Sequence, residues 1–135
     1  NCRNSGIYFP YESKDVSGEI MNHQLGKKGE AIAADYLRRK GYQIVKQNFY
    51  TRYGEVDIIC TQERDIIFVE VKTRSNTKFG YPEEAITYKK KQHIRKAALI
   101  YLNQTEGNFK ELRFDVITIL LDGEKININH IENAF

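Results

Sequence analysis

Two acids and one lysine stand inside stretches of this chain that are otherwise apolar. Glu70 and Lys72 interrupt IIFVEVKTR, residues 66–74, and Asp57 interrupts GEVDIIC, residues 54–60. Two carboxylates at a sheet edge can hold Mg²⁺ and leave waters in place, so that the metal can also accept a phosphate oxygen. A nearby ammonium can stabilise developing negative charge or orient an attacking water. The three residues would supply the minimum chemistry of metal-dependent phosphodiester hydrolysis.

These residues meet if the two stretches pair as antiparallel strands. A turn centred on Gln62–Asp65 puts Asp57 opposite Glu70 and Glu55 opposite Lys72, because side chains alternate along a strand. The same register places four apolar residues on the other face: Val56, Ile58, Val69 and Val71. A cross-strand ion pair explains Glu55 and Lys72, but two acids directly opposite destabilise a ladder by up to about 1 kcal/mol. The acid pair is tolerated when one acid is protonated, when bases surround it, or when a divalent cation lies between the carboxylates.

Glu30 could join the acid pair from a helix. Ala33, Ala34 and Leu37 follow it at helical spacing, so its carboxylate belongs on or beside the buried stripe of a helix predicted over 23–40. If this helix packs on the sheet, Glu30 reaches the metal or a metal-bound water. The alternative is a glutamate at the edge of the stripe that extends into solvent.

Hydrophobic periodicity predicts one mixed sheet flanked by helices. Strands are predicted at 42–52, 54–60, 66–74, 112–121 and 126–131. Gly41 should cap the first helix. A second helix is predicted from Pro82 to about Leu102, and Glu83 and Glu84 suit its first turn.

The chain length of 135 residues fits one domain. The only methionine is Met21, and residues 1–20 show neither a clear period nor the apolar core of a signal peptide. We therefore predict a single domain over residues 21–135. Residues 1–20 are predicted to be an N-terminal extension, either a leader or an artificial addition.

The acid and lysine pattern resembles that of the PD-(D/E)XK nucleases, in which an acid on one strand precedes a D/E-X-K triplet on the next. Asp57 matches the first acid, residues 70–72 (EVK) match the triplet, and Glu30 matches the helical glutamate of many members. Val56 departs from the pattern, since many members carry proline before the first acid.

Residues 25–118 more narrowly resemble the bacterial YraN family of predicted endonucleases, which is related to archaeal Holliday junction resolvases. The matching blocks are LGKKGEAIAADYL, GEVDII, FVEVKTR, FGYPEEAI with the lysine-rich helix after it, and RFDVITI. The resemblance implies a restriction-endonuclease-like α/β fold, with a four-stranded mixed core sheet flanked by α-helices. It implies an Mg²⁺ or Mn²⁺ site with Asp57 and Glu70 as metal ligands, Lys72 as catalytic cation and Glu30 in support.

Positive charge is concentrated around the second predicted helix. Residues 72–96 contain eight Lys or Arg and two Glu, a balance of +6, whereas the whole chain carries +3. Clustered positive charge of this kind is typical of a surface that binds a polyanion. The residues predicted to contact nucleic acid are Arg52, Arg74, Lys78, Lys89, Lys90, Lys91, Gln92 and Arg95. The alternative is a solvated basic face.

The remaining polar residues and the cysteines indicate structural roles rather than catalytic ones. Arg113 and Asp115 share a face of a later strand and should form an ion pair. Cys2 and Cys60 form neither a disulfide framework nor a metal-ligand set, which fits a reducing cytoplasm. No apolar run approaches the roughly 20 residues of a membrane-spanning helix, so we expect a soluble protein.

The sequence favours a metal-dependent endonuclease-like protein that hydrolyses phosphodiester bonds in DNA, with branched or otherwise structured DNA among its candidate substrates. Cleavage of branched DNA usually demands two active sites, which favours a homodimer. One alternative keeps the fold and drops the chemistry, as a non-catalytic nucleic-acid-binding module. Another treats the acids as a structural ion network in an interaction protein.

Overall fold

A computed structural model describes residues 18–75 and 86–135 together with the short strand at residues 2 and 3; for residues 2, 3 and 18–23 it describes the backbone. The elements are β1 Cys2–Arg3, α1 Gly18–Arg39, β2 Gln43–Thr51, β3 Gly54–Gln62, β4 Asp65–Arg74, α2 Tyr88–Gln104, β5 Glu111–Asp122 and β6 Lys125–Ile131. Several predictions concern residues outside these ranges: those for Lys78, Pro82, Glu83, Glu84 and most of residues 1–20.

The strands form one mixed sheet in the order β1-β6-β5-β4-β3-β2. Strands β4 and β5 are parallel, and the other neighbouring pairs are antiparallel. A parallel pair needs a crossover connection, which here contains α2. The predicted α/β fold with a mixed sheet is therefore confirmed. Within the described ranges the sheet has six strands, more than the four-stranded core that the resemblance implied.

The two helices cover opposite faces of the sheet. The α1-side core joins Ala33 and Leu37 of α1 to apolar residues of β3, β4, β5 and β6. The α2-side core joins Ile94 and Ala97 of α2 to Phe68 and other apolar residues of β3, β4 and β5. Because both faces are buried, the central strands are continuous apolar runs rather than alternating ones. Within the described ranges, neither helix has the length and apolarity that a membrane span requires.

The helix boundaries differ from the predicted ones. Helix α1 begins at Gly18, five residues before its predicted start, and ends as predicted before Gly41, which has a left-handed φ of 93°. Helix α2 begins at Tyr88, so the prediction that this helix already includes Ile86 and Thr87 is wrong, whereas its predicted first residue, Pro82, lies outside the described residues. Thr87 is extended and its hydroxyl accepts a hydrogen bond from the Lys90 N–H, so Thr87 is the N-cap.

The β3–β4 hairpin has the predicted register. Its paired residues run from Gln62 with Asp65 to Ile58 with Val69. Ile58, Val69 and Val71 lie in the α1-side core. The predicted side is wrong for Val56, which packs in the α2-side core. Strict alternation would place Val56 and Ile58 on one face, so the strand departs from alternation at the residue between them, Asp57.

Candidate active site

Asp57 and Glu70 are buried side by side where β3 and β4 part. The regular pairs of the hairpin stop at Ile58 and Val69, and the two acids are the next step in the same register. Asp57 is 6% exposed and Glu70 is 3% exposed. The Asp57 carboxylate accepts a hydrogen bond of 2.8 Å from the Val71 N–H. The structure therefore brings together the two acids that the register predicted.

Burial and the neighbouring acid together keep a proton on this pair. Burial raises the pKa of Asp57, repulsion from Glu70 and a hydrogen bond with Glu70 raise it further, and the resulting pKa is about 9. The hydrogen bond from the Val71 N–H opposes the rise. At neutral pH Asp57 therefore keeps its proton in the metal-free site, because two buried carboxylates in contact do not both ionise.

Two lysines approach the same carboxylate oxygen of Glu70. Lys72 Nζ lies 3.7 Å and Lys90 Nζ lies 3.5 Å from Glu70 Oε2. The predicted pair between Glu55 and Lys72 is wrong: among the described residues, the salt-bridge partner of Lys72 is Glu70 on its own strand. The other oxygen, Glu70 Oε1, is buried and has no donor among the described residues while Asp57 is ionised.

Glu30 interacts electrostatically with both acids of the pair, because α1 approaches β4 closely. Gly29 is buried, and any side chain at that position would collide with the Thr73 side chain on β4. Burial raises the pKa of the half-buried Glu30, and repulsion from Glu55 and Glu70 adds to the rise. The close packing thus places a third carboxyl within electrostatic reach of Glu70.

The donor set suits a hard divalent cation that keeps most of its waters. No group of three or more His, Cys, Asp and Glu side chains within the described ranges is arranged to hold a metal ion. Mg²⁺, however, is commonly held by one or two carboxylates plus water. Among the described residues the salt-bridge partners of the pair, Lys72 and Lys90, both lie at Glu70 Oε2, so Asp57 has no cationic partner and its pKa is raised. Asp57 and Glu70 would therefore fit as the two carboxylate ligands of such a cation.

The predicted nucleic-acid contacts on α2 lie on different sides of the helix. Lys90 faces the acid pair. Lys91 and Arg95 instead lie over the ring of Phe135, at 5.8 and 5.4 Å from its centroid. Lys89 is exposed, and Gln92 is half-buried. The sequence indicated one basic helix, whereas the structure separates a site-facing lysine from cations that pack on an aromatic ring.

The turn between β2 and β3 adds cations next to α2. Arg52 is exposed, and its Nη2 donates a hydrogen bond of 2.8 Å to the Tyr53 hydroxyl. Lys96 Nζ lies 5.2 Å from the centroid of the Tyr53 ring, which joins the turn to the helix. Arg74 ends β4 and donates to the carbonyl oxygen of Thr73.

Lys90 and Asn48 are the site residues whose position sequence reasoning missed. Lys90 was expected to contact nucleic acid, and its place beside Glu70 depends on how the crossover docks α2. Asn48 lies within β2 with a left-handed φ of 54°, and its side chain is close enough to Glu30 to lower the pKa of that carboxyl. An asparagine within a strand is itself a signal, since asparagine is depleted in strands and tolerates the left-handed conformation.

A second buried acid, Asp115, belongs to a structural network. Arg113 donates two hydrogen bonds to it, from Nε at 2.8 Å and Nη2 at 2.9 Å, so the predicted ion pair is confirmed. His130 Nε2 lies 2.7 Å from Asp115 Oδ2, and the Asn133 N–H donates to Oδ1. Burial alone would raise the pKa of Asp115, but the bonds from His130 and Arg113 outweigh it and lower that pKa. Both oxygens of Asp115 are satisfied, unlike those of Glu70.

Comparison with known proteins gives a consistent family assignment. The profile described as "Uncharacterised protein family UPF0102" matches residues 29–119. The chain is 54% identical over 115 residues to a UPF0102 protein of Syntrophomonas wolfei, covering 85% of this chain and all of that protein. It is 49% identical over 117 residues to one of Alkaliphilus oremlandii, covering 85% of this chain and all of the relative. A UPF0102 protein of Clostridioides difficile is 46% identical over 116 residues, covering 86% of this chain and the whole relative.

Proposed function

The chain belongs to the UPF0102 (YraN) family, and we propose that it is a metal-dependent endonuclease of the PD-(D/E)XK type that hydrolyses phosphodiester bonds in DNA. One observation carries this proposal: Asp57 and Glu70 are buried side by side, Glu70 Oε1 has no donor among the described residues while Asp57 is ionised, and two lysines approach Glu70 Oε2. A buried acid with an acidic neighbour and no cation beside it ionises with difficulty, and a bound divalent cation favours its ionised form.

Asp57 and Glu70 would hold Mg²⁺ or Mn²⁺. When bound there, such a cation supplies charge that stabilises the pentavalent phosphorus transition state and makes water a stronger acid. Asp57 must first release its proton, because its carboxyl is protonated in the metal-free site. Metal binding therefore displaces one proton to solvent at neutral pH.

The lysines and Glu30 would act on the reacting groups. Hydrolysis joins a water oxygen to phosphorus as the bond from phosphorus to the leaving oxygen breaks. Lys72 and Lys90, no longer needed to neutralise Glu70, can then stabilise negative charge on the phosphate oxygens. The raised pKa of Glu30 makes it a better proton acceptor than an ordinary glutamate, which suits it to orient the attacking water.

Exposed cations around the site would contact DNA phosphates. Lys89 and Lys96 of α2 and Arg52 of the adjoining turn are exposed, and Arg74 lies at the end of β4 next to Lys72. Phosphate contacts give affinity without sequence preference and make binding depend steeply on salt. Branched or structured DNA as substrate, a homodimer as the active assembly and a cytoplasmic location remain parts of the proposal that rest on the sequence resemblance and cysteine usage.

A non-catalytic nucleic-acid-binding module is the second candidate. It is favoured by the ion pairs of Glu70 with Lys72 and Lys90, which neutralise that acid without a metal. In this case Glu70 would hold α2 against the sheet, and the exposed cations would carry the whole function.

A cleavage screen separates the two functions. Wild-type protein, Glu70→Gln and Glu111→Gln are incubated with linear, flapped and four-way DNA in Mn²⁺, Mg²⁺ or a chelator. Glu111 is an exposed acid at the start of β5 and serves as the matched control. We expect Glu70→Gln to abolish metal-dependent cleavage and keep DNA affinity within about twofold of wild type, and Glu111→Gln to cleave normally. Absence of wild-type cleavage on all substrates, with DNA binding retained, would favour the binding module.

A further inference from the structure

Asn48 has a backbone conformation that its place in a strand does not require. Its φ is 54°, in the left-handed region, although it lies inside β2. Glu63 and Asn133, the other non-glycine residues with positive φ in the described ranges, lie in turns. A left-handed residue within a strand is a strained position, and such positions cluster at functional sites. The strain at Asn48 therefore needs a local cause.

The pairing of β2 with β3 is interrupted at Asn48. Gln47 pairs with Ile58 and Phe49 pairs with Val56. The intermediate step in this register joins Asn48 to Asp57, and it is absent from the paired residues of these two fully described strands. The kink in β2 thus lies directly opposite the first acid of the candidate site.

The interruption releases Asp57 from its neighbours on both sides. On the β4 side the regular pairs end before Asp57, and the Asp57 carboxylate instead accepts a hydrogen bond from the Val71 N–H. On the β2 side the left-handed turn of Asn48 removes the regular partner. Asp57 can therefore direct its carboxylate across the gap toward β4.

The Asn48 amide also acts on the third carboxyl of the site. The side chain lies close enough to Glu30 of the adjacent helix α1 to lower the pKa of that carboxyl. Glu30 is half-buried, and repulsion from Glu55 and Glu70 opposes its charge. Asn48 of β2 thus lies beside Glu30 of α1 and opposite Asp57 of β3.

We infer that Asn48 is a positioning residue of the acid site: its left-handed backbone frees Asp57 to face β4, and its amide holds the Glu30 carboxylate toward the bound cation's waters. This inference rests on the proposed function, because the arrangement is useful only if the acids bind a metal. Groups that orient metal ligands and their waters typically change metal affinity by 10- to 100-fold when removed.

The test compares two left-handed asparagines. Asn48→Gly keeps the backbone conformation and removes the amide, since glycine adopts positive φ freely. Asn133→Gly makes the same change at a φ of 56° in the turn after β6 and is the matched control. The measurements are Mn²⁺ affinity by calorimetry and the melting temperature without metal. We expect Asn48→Gly to fold with nearly the wild-type melting temperature and to bind Mn²⁺ at least 10-fold more weakly, and Asn133→Gly to bind as wild type.

A double variant identifies the partner of the amide. If Asn48 acts through Glu30, Asn48→Gly should weaken Mn²⁺ binding by less than twofold in a Glu30→Gln background. Equal losses in both backgrounds would overturn the link to Glu30, and wild-type affinity in Asn48→Gly would overturn the inference while leaving the proposed function intact. Unfolding of Asn48→Gly would contradict the backbone argument. Failure of wild-type protein to bind Mn²⁺ would overturn the inference together with the proposed function.

Discussion

The backbone N–H of Val71 donates a hydrogen bond of 2.8 Å to the Asp57 carboxylate at the point where β3 and β4 part. The Asp57 side chain of β3 thereby provides an acceptor for a backbone N–H of β4, beyond the last regular pair, Ile58 with Val69. Strand β4 stays fixed because it pairs with β5 along its whole length, from Asp65 to Arg74. The gap between β3 and β4 is therefore a stable feature, and it holds the acid pair.

Asp57→Asn should stabilise the metal-free protein at neutral and alkaline pH. The pKa of Asp57 is raised from 3.8 to about 9, so between these values the folded state holds a proton that the unfolded state has lost. Stability therefore falls as pH rises through this window. Asparagine keeps an oxygen for the Val71 N–H and carries no charge. We expect a melting temperature several degrees above wild type at pH 8, since about 1 kcal/mol shifts it by roughly 2–8 °C.

The pH dependence and a control variant test this explanation. The difference between Asp57→Asn and wild type should shrink as the pH falls toward 3.8 and vanish below it, where Asp57 is protonated in both folded and unfolded states. Asp35→Asn, which changes an exposed acid of α1, should show no such trend. A lower melting temperature for Asp57→Asn at pH 8 would mean that the ionised carboxylate stabilises the fold, contrary to the raised pKa.

Asp115→Asn should have the opposite effect on stability. Asp115 is fully buried, and its carboxylate forms hydrogen bonds with Arg113 and His130. Removing its charge leaves the half-buried Arg113 with Glu132 as its remaining salt-bridge partner, and the loss of charged hydrogen bonds to a buried acid typically costs about 1–3 kcal/mol. Urea denaturation should show this loss, while Mn²⁺ affinity of the folded variant stays at the wild-type value. A weakened metal affinity would show that the network supports the site.

The sequence predicts those features of the fold and the site that depend on a few neighbouring residues. The hairpin register followed from the turn at Gln62–Asp65, and the cap at Gly41 followed from glycine's tolerance of positive φ. Both depend on a few consecutive residues. The start of α2 was placed too early because Pro82 is a strong helix-start signal, whereas the cap is Thr87.

Two features of the site depend on contacts between distant segments. Val56 changes side because β3 is irregular at Asp57, opposite the left-handed Asn48 on another strand. Lys90 reaches Glu70 because α2 docks on the face of β4 that Glu70 shares with Phe68. Neither periodicity nor turn chemistry contains this information, so the sequence indicated the acids but not their full surroundings.

Lys90 and Lys89 should differ in their effects on cleavage and binding. Lys90 Nζ lies 3.5 Å from Glu70, whereas the adjacent Lys89 is exposed. We expect Lys90→Ala to reduce the cleavage rate by about 10²-fold, the usual loss when one stabilising donor is removed. Lys89→Ala should keep the cleavage rate at saturating DNA. It should reduce the slope of log binding constant against log salt concentration by about one unit. If Lys90→Ala and Lys89→Ala reduced the cleavage rate equally, Lys90 would have no specific role in catalysis.

Two glycines of α1 should respond oppositely to alanine. A side chain at Gly29 would collide with Thr73 of β4, so Gly29→Ala should destabilise the fold by about 1–3 kcal/mol and weaken metal binding. Gly26 has open space around it in the same helix, so Gly26→Ala should stabilise by up to about 1 kcal/mol. Urea denaturation of both variants measures these changes in the free energy of unfolding. A neutral Gly29→Ala would mean that α1 does not need its close approach to β4.

The most direct test of the acid site is calorimetric titration of the metal-free protein with Mn²⁺ or Mg²⁺, comparing wild type with Asp57→Asn in two buffers of different ionisation enthalpy. We predict binding to wild type with release of about one proton at pH 7, because Asp57 must ionise to become a ligand. Asp57→Asn should lose this binding. No binding to wild type, with and without DNA, would contradict the metal site and leave the nucleic-acid-binding module as the function of this fold.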